Sequence, residues 1–382
     1  NPMSRRMAAY CWSKTNSLNN TVYPNTPGHL LFIHTLLPSD SYDHSHNDRD
    51  RPVFPVLLLL LFFLILSVTF EQLGGPEALR LREIDEPQLR ANQVLVRVQA
   101  VAVDHVDTFV RSGAFQTALA TPHVVGRDLV GTVLRVAAGV TNFAVGDLVW
   151  TNSAGYDGRM GATAEMVAVA ADRLYPVPCG VDARQLVAAV HSAATAAIVL
   201  QDVMQLTRGQ AILIEGAAGN VGRKFIQLAH QLGAVVTTTS AARDFDRCRQ
   251  LGSELTLDYH EPVASQCDRQ FDHIIDTSGK VPLQANLAAL NQGGQVTLIT
   301  APADNHFTFD VRQFYMAQKQ ISGFVISHAT DDQLARAAKW LNQQFAAGAL
   351  LEDDLNCQPF AAAAEVHAAL EQGRDHHQRF VL

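Results

Sequence analysis

The sequence has few charges, few cysteines and no cluster of basic residues. Only 17% of its 382 residues are charged, and 29 Lys and Arg stand against 37 Asp and Glu, which gives a formal net charge of −8. Disordered chains combine high charge with low hydrophobicity, so a chain that is 48% hydrophobic is expected to fold. The dispersed basic residues argue against a general nucleic-acid binder, because phosphate contacts need clustered Lys and Arg.

The cysteines are too few and too scattered for a disulfide-rich fold. Their number is odd, and no two of them form a C-x-x-C pair: Cys11, Cys179, Cys248, Cys267 and Cys357. This usage favours a reducing compartment, so we expect a cytoplasmic protein without a disulfide framework. The length predicts two or three domains, since one domain typically has ~100 to 200 residues.

The first 66 residues differ in composition from the rest of the chain. They contain six of the fifteen prolines and end in an apolar run over residues 53–66. A helix that spans a membrane needs ~20 apolar residues, and this run is shorter and contains Pro55, so we expect no membrane anchor. The run also lies too far along the chain for an ordinary secretory signal. The hypothesis is that residues 1–66 form an unstructured or artefactual extension outside the fold.

Three further blocks follow this extension. Residues 67–186 carry short alternating apolar segments between Gly, Pro, Asn and Asp, which predicts a small β-barrel or sandwich. Residues 187–324 alternate helical stretches with continuous apolar strands, which predicts a parallel sheet covered on both faces. Residues 325–382 are too short for a domain of their own and are expected to rejoin the first block.

The most specific local motif follows the first strand of the alternating block. The pattern Ala217-x-Gly219-x-x-Gly222 lies between the apolar segment 211–215 and an amphipathic helical stretch. It is the dinucleotide fingerprint with its first glycine replaced by alanine; the other two glycines allow close approach of the pyrophosphate and close packing of helix on strand. Amides at the start of the helix would hold the phosphate charge. We expect dinucleotide contacts from Ala217, Gly219, Asn220, Val221 and Gly222.

The end of the next strand predicts which dinucleotide binds. An NAD site expects Asp or Glu there, whereas Ser240 ends this strand and Arg243 follows it. A small hydroxyl leaves room for a 2′-phosphate, and a guanidinium can pair with that phosphate through two hydrogen bonds. The interpretation is NADPH rather than NADH.

Further segments carry a resemblance to one family. They include Val103-Asp-His-Val-Asp-Thr-Phe-Val-Arg-Ser-Gly113 and Val125-Gly-Arg-Asp-Leu-Val-Gly-Thr-Val133, together with residues 70–77, 145–149, 271–279 and 290–296. From about residue 67 onward the chain resembles the zinc-free quinone oxidoreductase (zeta-crystallin-like) branch of the medium-chain dehydrogenases/reductases. The resemblance implies an α/β fold in which a Rossmann domain (a doubly wound parallel sheet, 187–324) is inserted into a GroES-like β-barrel catalytic domain (67–186 and 325–382).

The resemblance also implies a site without zinc. Zinc-binding members use a Cys in a Cys-x-x-Asp segment and a His in a Gly-His-Glu segment, and the matching positions here are Asp104 and Arg127. A guanidinium stays protonated and cannot ligate a metal. The four-cysteine loop of the structural zinc site is also missing. His105 and His191 remain as lone histidines, which are more often hydrogen-bonded structure than ligands. We expect no metal.

Without a metal to polarise an alcohol, reduction of a conjugated acceptor is favoured, because its own carbonyl takes up the electrons.

The resemblance implies that Asp104, Asp107, Phe109, Arg111 and Thr195 line the catalytic cleft, although Asp107 could simply hold a turn. Asp104 replaces the family's usual Asn and Phe109 its frequent Tyr. The expected proton source is solvent, the cofactor ribose through Thr195, or an Asp104 with a raised pKa.

The same resemblance implies the remaining contacts. The expected cofactor contacts near the ends of later strands are Tyr259, Thr277, Thr300, Ala301, Phe324 and Val325, and Arg379 before the last strand could reach a phosphate. The loop over residues 151–161 is expected above the cleft. Its Tyr156 and Arg159 are candidates for substrate contact, and a connection without a ligand role is an equal alternative.

The predicted function is an NADPH-dependent oxidoreductase that transfers a hydride to a quinone or an α,β-unsaturated carbonyl without metal. One alternative is a non-catalytic NADPH-binding or structural protein of the crystallin kind, which the altered Asp104 and Phe109 favour. Another is an enoyl-thioester reductase, which would need a long channel. We expect a small-molecule partner and a homodimer through the edges of the Rossmann sheets, with residues 296–300 as the candidate edge.

Overall fold

The computed structural model describes residues 64–352, 354–374 and 378–382. The strands in these residues are β1 (Leu64–Thr69), β2 (Arg80–Asp85), β3 (Gln93–Ala102), β4 (Asp128–Val136), β5 (Leu148–Thr151), β6 (Met166–Ala170), β7 (Tyr175–Pro176), β8 (Ala211–Glu215), β9 (Val235–Ser240), β10 (Leu255–Asp258), β11 (Phe271–Asp276), β12 (Leu290–Leu298), β13 (Gln320–Gly323), β14 (Leu355–Cys357) and β15 (Arg379–Val381). The helices are α1 (His105–Ser112), α2 (Ala183–Ile198), α3 (Asn220–Gln231), α4 (Phe245–Gln250), α5 (Val263–Gln266), α6 (Leu283–Ala289), α7 (Val311–Met316), α8 (Asp331–Ala346) and α9 (Ala363–Glu371).

The first strand begins inside the predicted N-terminal extension. β1 pairs antiparallel with β2 along its whole length. Ile65 is buried while Leu64 and Leu66 are exposed, which is the alternation of a half-buried strand. A uniformly apolar run conceals this alternation, so the predicted boundary at residue 67 is wrong and residues 64–66 belong to the fold. The remainder of the predicted extension, 1–63, lies outside the described residues.

The catalytic domain is built on a mainly antiparallel sheet with the strand order β14-β15-β3-β4-β5-β7, and β6 also pairs with β3. β3 is the central strand, because it pairs with β4 and with β6, and Val94, Leu95 and Val96 are all buried there. β15 joins the same sheet where Val381 lies opposite Ala102 of β3. The C-terminal segment thus completes the sheet that the first block began.

The second sheet is parallel throughout and has the strand order β10-β9-β8-β11-β12-β13. Ile212 and Ile214 of β8 pack in the same cluster as Phe225 of α3, whereas Leu213 packs in a cluster with Leu283 of α6. Helices therefore cover both faces, which explains why the strand is a continuous apolar run. The predicted doubly wound sheet inside an α/β fold is confirmed.

The free edges of this sheet differ from the prediction. β12 pairs with β11 on one side and with β13 on the other, and Val296 is opposite both Ile274 and Ile321. Residues 296–298 are therefore internal to the sheet and cannot form an edge. The edge strands are β10 and β13. Internal and edge strands were both apolar in sequence, so the pattern could not show the strand order.

α2 continues through a π-helical turn, Val199–Val203, on the way to the parallel sheet. The predicted domain boundary between residues 186 and 187 lies inside this helix. Within the described part of the chain, Ala183–Val203 is the one helix long and apolar enough to cross a membrane, and 78% of its most apolar window is buried inside the protein. Ala193, Ala196 and Ala197 are fully buried, so this helix forms part of the core.

Three cysteines among the described residues are free: Cys248, Cys267 and Cys357. The expectation that the chain has no disulfide framework stays a prediction.

Candidate active site

The parallel sheet presents a row of loops at the carboxyl ends of its strands. The turn at 216–219 follows β8, Ser240 ends β9, Tyr259 follows β10 and Thr277 follows β11. The order of the strands reverses between β8 and β11, and ligands of such sheets bind at the carboxyl ends beside that reversal. The predicted cofactor residues of these strands therefore share one edge of the sheet.

Glycine shapes the turn between β8 and α3. A Cβ atom on Gly222 would lie 2.6 Å from the carbonyl oxygen of Gly216 and 2.7 Å from the Cα atom of Ala217. Gly216 itself has a φ of +67°, and a Cβ atom there would lie 2.7 Å from Oγ1 of Thr277. Gly216 is a residue that the sequence reasoning missed, because the fingerprint was placed on Ala217. The signal was a glycine directly after the last buried strand residue.

The first turn of α3 is held from outside the parallel sheet. Nη2 of Arg223 donates to Oδ1 of Asn220 at 2.6 Å, close to the N-cap residue Gly219. Arg223 and Lys224 also form ion pairs with the buried carboxylate of Glu352, at 3.2 and 2.7 Å. These contacts fix the start of the helix, where amide groups point toward the turn.

The predicted phosphate site contains one fully buried residue and three residues that are only half-buried. Ala217 is fully buried and its amide donates to the carbonyl of Thr239 at 3.1 Å, so it joins β8 to β9. Gly219, Asn220 and Val221 are only half-buried. α3 is a twelve-residue helix, and the amides of its first turn have no partner within the helix, so they can bind an anion.

The end of β9 presents a hydroxyl and a guanidinium. Ser240 is buried, and its Oγ donates to the carbonyl of Ala241 at 3.2 Å. The side chain of Arg243 is 78% exposed, and Asp244 is 3.7 Å from its Nε, beyond a hydrogen bond. Tyr259 after β10 is also exposed and stacks on His260, with ring centres 4.1 Å apart. The Arg243 guanidinium is therefore accessible to a ligand at this edge.

The loops after β11, β12 and β13 continue the same edge. Oγ1 of Thr277 donates to the carbonyl of Glu215 at 2.8 Å. A Cβ atom on Gly279 would lie 2.6 Å from the carbonyl oxygen of Ala301 and 3.2 Å from Oγ1 of Thr300, so these loops touch. The amide of Phe324 donates to the carbonyl of Leu298, and Val325 is partly exposed.

Asp104 and Arg379 form a buried ion pair in the catalytic domain. Nη2 of Arg379 lies 2.5 Å from Oδ1 of Asp104, and both side chains are less than a tenth exposed. Nε of Arg379 donates to the carbonyl of Ala188 in α2 at 2.9 Å. A guanidinium engaged on two sides in the interior cannot reach a cofactor phosphate. The expected phosphate contact of Arg379 is therefore wrong.

The neighbouring charges decide which carboxyl group is ionised. Burial alone would raise the pKa of Asp104, but the positive charges of Arg379 and His191 outweigh it and hold that pKa below its ordinary value. Burial and the charge of Asp104 raise the pKa of Asp107 to about 8, and Oδ2 of Asp107 accepts from the Asp104 amide at 2.8 Å. The expectation of a proton-donating Asp104 with a raised pKa is wrong. Asp107 is instead the carboxyl group with the raised pKa, and at position N3 of α1 its side chain accepts from the N-cap amide.

A histidine joins this cluster. Nδ1 of His191 lies 3.3 Å from Oδ1 of Asp128, which has no solvent exposure. Burial would lower the pKa of His191, but Asp128 and Asp104 outweigh it and raise that pKa. Ligand atoms of Asp104, Asp128 and His191 all lie within 4.8 Å of one another. Sequence reasoning treated His191 as isolated, because the residues that meet it come from distant segments.

Guanidinium groups occupy the same region as these three potential ligands. Besides Arg379, the buried Arg127 directly precedes Asp128, and its Nη1 donates to Oγ of Ser327 at 2.8 Å. Two guanidiniums already balance the carboxylates and would repel a divalent cation. This donor set does not fit a resident metal.

The remaining residues expected to line the cleft are placed differently from one another. Arg111 is fully buried and pairs with Glu371 of α9, so the expectation that it lines the cleft is wrong. Phe109, on the same helix, is 49% exposed. Oγ1 of Thr195 donates to the carbonyl of His191 at 3.0 Å. That hydroxyl has one proton, so it can accept a further hydrogen bond but cannot donate one.

The loop over residues 151–161 meets the end of the parallel sheet through Tyr156. The guanidiniums of Arg127 and Arg159 lie 5.3 and 5.5 Å from the centre of the Tyr156 ring. The rings of Phe115 and His328 lie 5.7 and 6.0 Å from it. His328 belongs to the short helical turn that follows β13. The structure therefore brings this loop next to the turn that follows β13. That turn lies at the edge formed by the carboxyl ends of β8 to β13, the nucleotide edge.

Comparison with known proteins agrees with this fold. Two family models match, the alcohol dehydrogenase GroES-like domain over residues 90–179 and the zinc-binding dehydrogenase over residues 221–343. The quinone oxidoreductase of Rattus norvegicus is 30% identical over 247 residues, which are 62% of this chain and 73% of that protein. The chain belongs to the medium-chain dehydrogenase/reductase family, among the quinone oxidoreductases.

Solved structures of this family superpose over most of the chain. An NAD-dependent alcohol dehydrogenase is 26% identical with a TM-score of 0.72, and the match covers 83% of this chain and 99% of that one. A mycobacterial protein complexed with NADPH is 26% identical with a TM-score of 0.71 and the same coverage. The GroES-like domain with its Rossmann partner is confirmed, and the protein is an oxidoreductase of a family that binds nicotinamide dinucleotides.

Proposed function

We propose that this oxidoreductase uses NADPH to reduce a quinone or an α,β-unsaturated carbonyl compound without a metal ion. One observation carries the proposal. The glycine turn at 216–222 follows β8 and the exposed Arg243 follows the neighbouring strand β9, so both lie at the same edge of the parallel sheet. NADPH, when bound, supplies the hydride. The protein then has to bind it, align the acceptor and exclude water.

The preference for NADPH rests on Ser240 and Arg243. No acidic side chain stands at the end of β9 to accept from the ribose hydroxyls, and a 2′-phosphate would gain a charge-assisted contact from Arg243. The similar mycobacterial protein that is complexed with NADPH supports the same choice. The pyrophosphate would lie on the amides at Gly219, Asn220 and Val221.

The nicotinamide end would face the loops after β11, β12 and β13. Thr277 lies in the loop after β11, and Thr300 and Ala301 lie in the loop after β12. Phe324 and Val325 directly follow β13. Val325 offers an apolar side chain for the nicotinamide ring, and the turn after it contacts Arg127 of the catalytic domain through Ser327. The acceptor would therefore lie between this segment and the loop that carries Tyr156.

The charges of the cluster support independence from metal. Arg379 neutralises Asp104, and Arg127 adds a second positive charge beside Asp128. Acceptors whose carbonyl is conjugated need no Lewis acid, because the electrons move onto their own oxygen. Asp104 is ionised and the proton of Thr195 is engaged by a carbonyl, so we propose that solvent protonates the reduced acceptor.

The direct test measures NADPH oxidation by an ortho-quinone, 9,10-phenanthrenequinone, and by a simple enone, cyclohexenone. Turnover with either acceptor, at a KM for NADPH well below that for NADH, supports the proposal. Equal Michaelis constants for the two cofactors contradict the assignment of NADPH. Tight NADPH binding without turnover across a broad panel of acceptors instead supports the non-catalytic alternative.

We also propose that two copies pair through the edge strand β13. Its outer side has no partner strand in the described residues, and an open edge can pair with another chain. α7 directly precedes β13 and exposes Val311, Tyr315 and Met316 by more than half. Light scattering should show a dimer for the full chain and a shift toward monomer for Tyr315→Lys. A monomer in the unsubstituted protein would contradict this pairing.

A further inference from the structure

A cavity of about 500 Å³ lies within the catalytic domain, away from the carboxyl edge of the parallel sheet. Its walls come from the end of β2 and the turn after it, from β6, and from the loops at 120–122 and 153–160. Sites for small organic molecules typically have ~300 to 1,000 Å³. The cavity is therefore large enough for a ring compound.

The lining of this cavity divides into an apolar wall and a set of guanidiniums. The apolar wall includes Ile84, Pro87, Met160 and, from β6, Ala168 and Ala170. The charged lining residues are Arg90, Arg159, Arg173 and Asp85, so three positive charges stand against one negative charge. An apolar body with an anionic group matches both parts of this lining.

Arg159 is a partly buried guanidinium whose ion pair with Asp157 is long. Its Nε donates to the carbonyl of Ser153 at 2.8 Å, while Asp157 lies 3.7 Å from its Nη1 and is 74% exposed. Burial, with the positive charges of Arg173 and Arg127, lowers the pKa of Arg159 to about 10. A partly buried cation crowded by other cations is stabilised by an anion at hydrogen-bond distance.

Arg173 stands on the neighbouring wall of the cavity. Its guanidinium pairs with Asp331 at the start of α8, which is half exposed. A guanidinium has five N–H donors, so this pair leaves donors for a second anion. Arg159 and Arg173 both line the cavity, so one ligand in it can meet both guanidiniums.

We propose that this cavity binds a small organic acid, whose apolar body packs on β6 and Met160 and whose carboxylate lies between Arg159 and Arg173. The cavity contains none of the predicted cofactor residues, and the loop that carries Tyr156 forms part of its wall. The centre of the Tyr156 ring is 5.5 Å from the Arg159 guanidinium.

The test is calorimetric titration of the full chain with 2-naphthoate and with 2-naphthalenemethanol, its neutral analogue. We expect the acid to bind at least ~10-fold more tightly than the alcohol, a difference of ~1.4 kcal/mol. Arg173→Gln removes a proposed carboxylate partner, and Ala168→Phe fills the cavity from β6. Each should weaken binding of 2-naphthoate by ~10-fold or more. Arg249→Gln, at an exposed arginine outside the cavity, should leave it unchanged.

Several results would overturn the proposal. They are no binding of 2-naphthoate, equal affinity for the acid and the alcohol, or unchanged affinity in either of the two cavity variants. Unchanged binding in Ala168→Phe would place the acid elsewhere, and unchanged binding in Arg173→Gln would remove its charge partner. Thermal unfolding of both variants verifies that they are folded. NADPH oxidation in both should stay within ~2-fold of the unsubstituted protein, since neither residue lies at the nucleotide edge.

Discussion

Backbone glycines hold the nucleotide edge together, whereas an ion pair between distant residues holds the charged cluster of the catalytic domain. Gly216 and Gly222 belong to one turn, and their close approach is set within it. Asp104 and Arg379 are 275 residues apart in the chain and meet only when the C-terminal strand joins the sheet. The first arrangement is encoded locally, and the second depends on the completed fold.

Breaking the ion pair should have the largest effect. Arg379→Gln leaves the carboxylate of Asp104 buried without its partner, and we expect the free energy of unfolding to fall by about 3 to 5 kcal/mol in denaturant titration. Arg249→Gln, which breaks the exposed pair with Asp246, should cost less than ~1 kcal/mol. Adding Asp104→Asn to Arg379→Gln should recover part of the loss. Similar losses in the two single variants would show that the buried pair has no special role.

A side chain in the glycine turn should come next. A Cβ atom in Gly222→Ala meets backbone atoms at 2.6 to 2.8 Å, and such overpacking costs about 1 to 3 kcal/mol. The loss should appear mainly as weaker NADPH binding in a fluorescence titration, because the turn is the proposed phosphate site. Gly74→Ala is the matched control, since its Cβ atom would meet only an ordinary contact at 3.6 Å. Unchanged NADPH affinity in Gly222→Ala would contradict the placement of the phosphate.

The same contrast explains how far the sequence could be read. The alternation of strands and helices and the glycine motif are local, and they predicted the doubly wound sheet and the position of its binding edge. Gly216 was missed although it is part of that motif, because the fingerprint fitted Ala217 equally well. The prediction for the edge strand failed at residues 296–298, since strand order depends on chain topology and not on the pattern of one strand.

The positions and partners of the charged residues were predicted less well. The family resemblance assigned Arg111 to the cleft and Arg379 to a phosphate. Each of them instead pairs with a carboxylate from a distant segment, Glu371 and Asp104 respectively. His191 likewise pairs with a carboxylate from a distant segment, Asp128. Nothing near these residues in the sequence indicates the partner.

Arg243 allows a smaller test on the side of the nucleotide edge. Arg243→Gln removes a charge-assisted contact to the 2′-phosphate, and we expect the KM for NADPH to rise by ~10-fold, or ~1.4 kcal/mol. The KM for NADH should stay within ~2-fold, because NADH lacks that phosphate. Arg269→Gln, at another arginine of the same domain, is a control. Equal changes in the KM values for NADPH and NADH would show that Arg243 does not contact the 2′-phosphate.

The last expected effect is on the pH dependence of stability, to which the groups of the cluster contribute with opposite signs. The pKa of Asp107 rises from 3.8 to about 8 on folding, so its contribution to stability is full below pH 4 and is lost as the pH rises toward 8. Asp107→Asn should therefore lose less unfolding free energy between pH 5 and pH 8 than the unsubstituted protein. Asp246→Asn, at an exposed carboxylate, should follow the unsubstituted curve. Parallel curves for Asp107→Asn would contradict a buried, protonated Asp107.

We propose that the charged cluster and the nucleotide edge together support hydride transfer without a metal. Deuterium can be followed from NADPH labelled at both C4 positions into the product of cyclohexenone reduction, after exhaustive dialysis against a chelator. We expect one deuterium at the β-carbon of the product and an unchanged rate in protein shown by elemental analysis to be free of metal. Loss of the reaction on chelation, restored by zinc, or a product without deuterium from NADPH, would contradict it.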